Sequence, residues 1–278
     1  MACRRAYRAM IEAEKETAAI LSSAKEKTKK EINPAVKEKM HFSKLLFGVD
    51  SKTATNTVLQ NNITVFEWAK RSKIYPGFWG RQINGENSLS KKEIEFLHSK
   101  ACKIAAIYED EEPKETKEQG KILAKKIMLR VIDLKIPPKK AIFLKIGEKD
   151  TVTEEFLKSY VETMLIEGMI PGIMTNTDAK YPFDIVFGKA VQKNKELFEK
   201  CVIWATAPTM DQYENITTIS LSVPEKWAPF APSGKTKKDI AIWQYGIDCD
   251  PIEDESENEV DFNVDLVADD RVLIEKMF

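Results

Sequence analysis

Histidine is nearly missing from this chain of 278 residues, with only His41 and His98, and cysteine amounts to four scattered residues, Cys3, Cys102, Cys201 and Cys249. No Cys-x-x-Cys pair occurs and no histidine lies near a cysteine at ligand spacing, so neither a zinc site nor a disulfide framework is expected. A nucleophile driven by a histidine base is not expected either. Glycine is sparse, at 11 residues, and Gly48 with the following SKTATN stretch at 51–56 lacks the glycine-rich phosphate loop that a doubly wound dinucleotide-binding sheet needs. No apolar run approaches the length of a membrane span, and the N-terminus is charged where a signal peptide needs an apolar core; synthesis in the cytoplasm is the expectation. An excess of one charge is absent too. With 43 basic and 44 acidic residues the net charge of −1 gives no general attraction to nucleic acid or membrane, and no metal or cofactor is expected.

What the chain does have is core-forming material, 43% hydrophobic residues over a length that suits one large domain. Its charge is unevenly spread: Arg4, Arg5 and Arg8 make the start basic, and residues 248–259 are strongly acidic, as expected of an exposed loop. Residues 1–42 are rich in Ala, Glu and Lys, and Met10, Ile11, Ala18, Leu21 and Ala24 form a loose apolar stripe. They predict an N-terminal helical extension, either solvated or docking to a protein partner, ahead of a compact domain over 43–278.

Within that domain, strand-like and helix-like stretches alternate. Apolar strand patterns are read at 45–50, 76–83, 103–109, 141–146 and 169–175, each followed by a helical stretch. Ser90 and Glu93 stand at capping-box spacing, as do Thr151 and Glu154, and a long helix is expected over 116–134. After the fifth unit the rhythm changes, and 201–207, 216–223 and 239–245 read as strands with few helices between them. Five βα units followed by three strands predict an α/β fold, a TIM-type (β/α) barrel.

The stretch 141–150, AIFLKIGEKD, bears most on function. Ile142, Phe143, Leu144 and Ile146 give the near-continuous apolar run of a parallel strand covered on both faces, and Gly147 lets the chain turn where Glu148 follows. In such barrels ligand chemistry is built at the C-terminal ends of the strands, which makes Glu148 the leading candidate for a site acid.

Several fragments together resemble the family-25 glycoside hydrolases, the lysozyme-like muramidases, and more closely the glycoside-hydrolase-like barrels long known as a domain of unknown function. Phe47-Gly48-Val49-Asp50 looks like their first strand ending in an acid; Gly80-Arg81-Gln82 with Leu89-Ser90-Lys91-Lys92-Glu93 looks like their second strand and the following helix start; Ile107-Tyr108-Glu109 looks like the end of their third strand. Ile203-Trp204-Ala205 is similar to their sixth-strand tryptophan motif, Ile242-Trp243-Gln244-Tyr245 to the WQY of the last strand, and Val260-Asp261-Phe262-Asn263 to the VDxN that follows. The resemblance spans residues 45–267 and leaves out the N-terminal extension.

It implies a carboxylate cluster of Asp50, Glu148 and Asp261 acting on cell-wall polysaccharide, peptidoglycan in particular. The family's D-x-E pair after strand four places its first acid on Ile146, which carries no charge, and an offset register would recruit Asp150 instead of Glu148. Trp79, Tyr108, Trp243 and Tyr245 are the expected platforms for sugar rings, with Arg81 and Gln244 as hydrogen-bond donors. Two readings follow. One is a muramidase-like hydrolase with a carboxylic acid as proton donor, reaching a cell wall by some route other than a signal peptide. The other is a barrel without catalysis, a glycan-binding or structural component docked to an assembly through its N-terminal helix.

Overall fold

The computed structural model describes residues 45–59, 62–71, 75–209, 223–249, 260 and 262–278. The helical extension expected over 1–42 lies outside the described residues, as do most of the acidic loop and residues 216–222 of the expected seventh strand. The chain divides into the units Met1–Ser43 and Lys44–Phe278, and the description concerns the second.

Eight strands close into one barrel in sequence order: β1 Leu46–Asp50, β2 Phe78–Gln82, β3 Lys103–Glu109, β4 Ala141–Lys145, β5 Ile170–Thr175, β6 Val202–Thr206, β7 Ile240–Cys249 and β8 Phe262–Val267. Strands β1 to β7 pair in parallel, and β8 closes the ring by running antiparallel to both β7 and β1. The helices are α1 Val65–Arg71, α2 Lys91–Ser99, α3 Lys117–Asp133, α4 Glu154–Ile166, α5 Pro182–Lys193, α6 Lys195–Phe198 and α7 Asp270–Lys276. Among the described residues, the connection into β7 carries only a 3-10 turn, Lys237–Asp239, in accord with the expected thinning of helices after strand five.

The count of eight strands agrees with the expectation, but the last two differ: the segment expected as the eighth strand, 239–245, forms β7, and the expected seventh, 216–223, lies almost wholly outside the described residues. The closing strand is Phe262–Val267, a segment read from sequence as a motif beyond the sheet. Phe262, Asn263, Val264, Asp265 and Leu266 alternate apolar with polar as a strand does, with the unusual feature that the polar members, Asn263 and Asp265, face the barrel interior.

The helix starts show which side chains are diverted to other work. Thr116 and Gln119 make a full capping box on α3: the Thr116 hydroxyl accepts from Gln119 N at 3.2 Å and the Gln119 amide oxygen accepts from Thr116 N at 2.7 Å. At α2 only half of the expected box forms. Ser90 Oγ accepts from Glu93 N at 3.1 Å, while the Glu93 carboxylate turns inward to Arg81 and Thr55. At α4 the cap is Thr153, not Thr151, with its hydroxyl accepting from Phe156 N at 3.2 Å.

Side chains alternate in and out along each strand and so divide the core into two layers. Inside the barrel, Phe78, Phe143 and Trp204 pack edge to face, with ring centroids 5.2 Å apart for Phe143 and Trp204 and 6.4 Å for Phe78 and Trp204. This fit leaves no room at Gly48, where an added Cβ would lie 2.2 Å from the Phe78 ring. Met277 joins the same inner cluster, and Phe278 exchanges backbone hydrogen bonds of 2.8 and 3.1 Å with Ile104 at the N-terminal end of β3, so the segment after α7 plugs the barrel base. The outer layer lies between strands and helices. There Val49, Trp79, Ile142, Leu144, Trp243 and Tyr245 join helix residues such as Phe66, Leu123 and Phe156. Cys102 and Cys201 are buried free thiols, and burial pushes both up to about 12, in keeping with a packing role.

Candidate active site at the barrel mouth

The inward residues at the C-terminal ends of the parallel strands line a cleft of about 350 Å³. Asp50 from β1, Gln82 from β2, Lys145 from β4 and Gln244 from β7 project into it, joined by Glu148 and Asn176 from the loops after β4 and β5. The antiparallel β8 contributes from its opposite end: Asn263 lies directly across from Asp50 in the ladder and lines the same cleft.

Asp50 sits at the floor. Its Oδ2 accepts from Gln244 Nε2 at 2.6 Å and its Oδ1 from Asn263 Nδ2 at 2.8 Å. The backbone closes in behind it, since a Cβ at Gly80 would lie 2.5 Å from Asp50 Cβ and 2.6 Å from the Trp204 ring. Burial raises the Asp50 carboxyl above its ordinary 3.8, against hydrogen bonds from Asn263, Asp265 and Gln244 and the charge of Lys145, which favour the anion. Asp265 follows two residues after Asn263 and so points inward as well, with no exposure at all. Its Oδ1 accepts from Trp204 Nε1 at 2.9 Å. Burial, and then the neighbouring Asp50 charge, push this carboxyl well above its ordinary value.

Glu148 stands at the exposed rim, where its Oε1 accepts from Asn176 Nδ2 at 2.6 Å. Asp150 does not compete for the place: it accepts from Gly147 N and pairs with the buried Lys114 at 3.1 Å each, away from the cleft. Ile146 is buried in the outer core layer and also borders the cleft. On the β2–β4 side, Lys145 pairs with Glu109 at 3.0 Å, and Gln82 Nε2 donates to the same carboxylate.

Of the residues expected at the site, Asp50, Glu148 and Gln244 are brought together in the cleft, and Asp261 lies outside the described residues. Five others do not line it. Trp79, Tyr108, Trp243 and Tyr245 are buried in the outer layer, so they are not available as sugar platforms. Trp79 packs on Phe66 and Phe262 with centroids 5.7 and 5.6 Å away, and Trp243 Nε1 donates to Ala207 O at 3.0 Å. Arg81 is fully buried and spends its donors internally, on Glu93, the Ser51 and Lys52 carbonyls and the Asn87 carbonyl, which fixes the loop after β1. Strand parity explains the correction: once Gln82, Ile107 and Gln244 face inward, residues an odd number of positions away on the same strand face out. The same parity, applied to β8, would have flagged Asn263 and Asp265, which sequence reasoning missed along with Gln82, Lys145 and Asn176.

No protein-family model and no curated protein matches the chain. Among solved structures, an uncharacterised protein from B. stearothermophilus is similar with a TM-score of 0.66 and 25% identity, over 84% of this chain and 100% of that one. A bacterial lysozyme from Streptomyces coelicolor gives a TM-score of 0.46 at 9% identity, over 82% of this chain and 95% of its own. A family GH25 lysozyme from Aspergillus fumigatus gives 0.44 at 13% identity, over 80% and 93%. By fold, then, this chain is a TIM-type barrel similar to the uncharacterised B. stearothermophilus protein.

Proposed function

We propose that the cleft takes a cell-wall polysaccharide and cleaves its glycosidic bonds, with Glu148 as proton donor. The observation that carries this reading is the convergence of two strand-end carboxyls, Asp50 and Glu148, in one open cleft among the side-chain amides Gln82, Asn176, Gln244 and Asn263. Amides, which donate and accept, together with carboxylates, which accept, suit a neutral polyhydroxylated ligand, since each hydroxyl can do both. The volume lies at the small end of the usual range for ligand sites, ~300–1,000 Å³, as expected of a groove that holds part of a longer chain.

Glycosidic cleavage needs an acid at the leaving oxygen and a negative group near the positive charge that builds on the sugar ring. Glu148, at the accessible rim, supplies the proton. Asp50, held from two sides by amide donors, supplies the fixed charge at the floor. A second reading, glycan binding without hydrolysis, is favoured by Ile146, an apolar residue where the family resemblance expects the first acid of a D-x-E pair.

Release of soluble fragments from purified peptidoglycan separates the two. Glu148→Gln is expected to keep the fold and lower release by roughly a hundred- to ten-thousand-fold, the usual contribution of a general acid. No release by the unsubstituted protein, together with retention on the insoluble polymer, would establish the binding reading instead.

A further inference from the structure

Neither the sequence motifs nor the proposed chemistry makes use of Asp265, although it is a fully buried carboxyl inside the barrel. It lies across from Gln244 in the β7–β8 ladder and across from Gly48 in the β1–β8 ladder, directly beneath the floor of the cleft. One oxygen accepts from Trp204 Nε1 at 2.9 Å. Among the described residues, no N–H or hydroxyl donor reaches the other, Oδ2, and the ladder sets the Asp265 carboxyl beside that of Asp50: Asn263, two residues before it, and Gln244, across from it, both donate to Asp50.

Two carboxyl groups can bond to each other only through a proton held by one of them. The surroundings decide which. Asp50 already accepts from Gln244 at 2.6 Å and Asn263 at 2.8 Å, and so is solvated as an anion by two amides. Asp265 has a single N–H donor and no exposure, which leaves its charged form the poorer solvated of the two. We propose that Asp265 is a positioning residue for Asp50: it keeps a proton and donates it to Asp50 in a hydrogen bond, so that the pair at the cleft floor carries one negative charge, held on Asp50.

The groups around the pair are consistent with a single charge. Lys145 on β4 acts on Asp50 while also paired with Glu109 of β3, and Tyr245 on β7 lies near Asp265. Glu148, Lys52 and Asp248 border the cleft above, and β2 and β6 face the pair with Gly80 and Trp204, which do not titrate. Lys145, the cation that acts on Asp50, is already paired with Glu109 and so is shared before a second negative charge is added. The inference is independent of whether the cleft cleaves glycan or only binds it.

Asp265→Asn tests it, because the amide keeps an acceptor for Trp204 and a donor for Asp50 but has no proton to titrate. Infrared spectra of the unsubstituted protein near neutral pH are expected to show the C=O stretch of a protonated carboxyl, lost in D265N. The pH profile of unfolding supplies a reading that a purely structural role would not move. Asp265 is raised above its unfolded-state value of 3.8, so its contribution to stability is complete below that value and is lost as the pH rises through the folded-state value. As the pH rises above the unfolded-state value, the unfolding midpoint of the unsubstituted protein should therefore fall relative to D265N, by roughly 3–5 °C per pH unit for as long as the folded protein holds a proton that the unfolded chain has lost. A band that is absent from the unsubstituted protein or persists in D265N, or parallel pH profiles for the two proteins, would overturn the proposal. Should D265N not fold, the band is read in protein labelled with carbon-13 at its aspartate carboxyls; a band that does not shift with the label overturns it equally.

Discussion

At the scale of single residues, the buried polar groups divide by what they serve. Arg81 and Glu93 form an ion pair of 2.8 Å with almost no exposure on either side, and the remaining Arg81 donors all end on backbone carbonyls or on the same carboxylate. Such a pair says little about net stability while intact, but removing one partner strands the other's charge. Arg81→Met should cost about 3–5 kcal/mol, read as a lower urea midpoint, and should also loosen the Ser51–Lys52 backbone that borders the cleft. Asp50 differs in kind. Its partners are neutral amides and one carboxyl, and it faces the cleft, so its interactions orient a charge where a ligand can meet it.

At the scale of elements, the sequence was most legible where one rule acted alone. The apolar run of β4 and the long periodic helix α3 could be read directly because propensity and pattern agree there, and the structure adds a cap at Thr116 where the helix was expected to begin. Thr116→Ala should cost about 1 kcal/mol by removing the acceptor for Gln119 N, measurable as a small loss in denaturant midpoint. Reading failed where a side chain answers to a distant partner. Glu93 has the spacing of a capping residue, but a buried guanidinium 12 positions earlier claims its carboxylate. The aromatic residues of β2, β3 and β7 look like ligand platforms in a linear motif, whereas the two-residue period of a strand sends Trp79, Tyr108, Trp243 and Tyr245 to the helix side. Parity needs one residue of known direction on each strand, and Gln82, Ile107 and Gln244 give it only once the barrel is closed. The strand β8 was missed although Phe262, Asn263, Val264, Asp265 and Leu266 alternate apolar with polar as a strand does, because the segment reads as a motif following the last strand.

At the scale of the whole molecule, the barrel has a polar mouth and an apolar base. Its base is sealed by Met277, with no exposed surface, against inner residues such as Phe78, Ala105 and Ala141. Met277→Ala should leave a cavity there and cost about 2–5 kcal/mol, with the fold retained and the thermal midpoint lowered. Closure of the ring joins β1 to β8, so that Gly48 meets Asp265 and Asp50 meets Asn263 across more than two hundred residues of chain. Contacts so distant in sequence carry a high loop-closure cost and come late in folding. On the ribosome this gives the antiparallel strand a timing role. A nascent chain that has not yet released residues 262–267 has seven strands, bare edges on β1 and β7, and a cleft-facing aspartate without its asparagine or its partner acid. Those edges are the hazard of a half-made barrel, open to pairing with other chains, and the strand that covers them is also the one that completes the floor of the cleft.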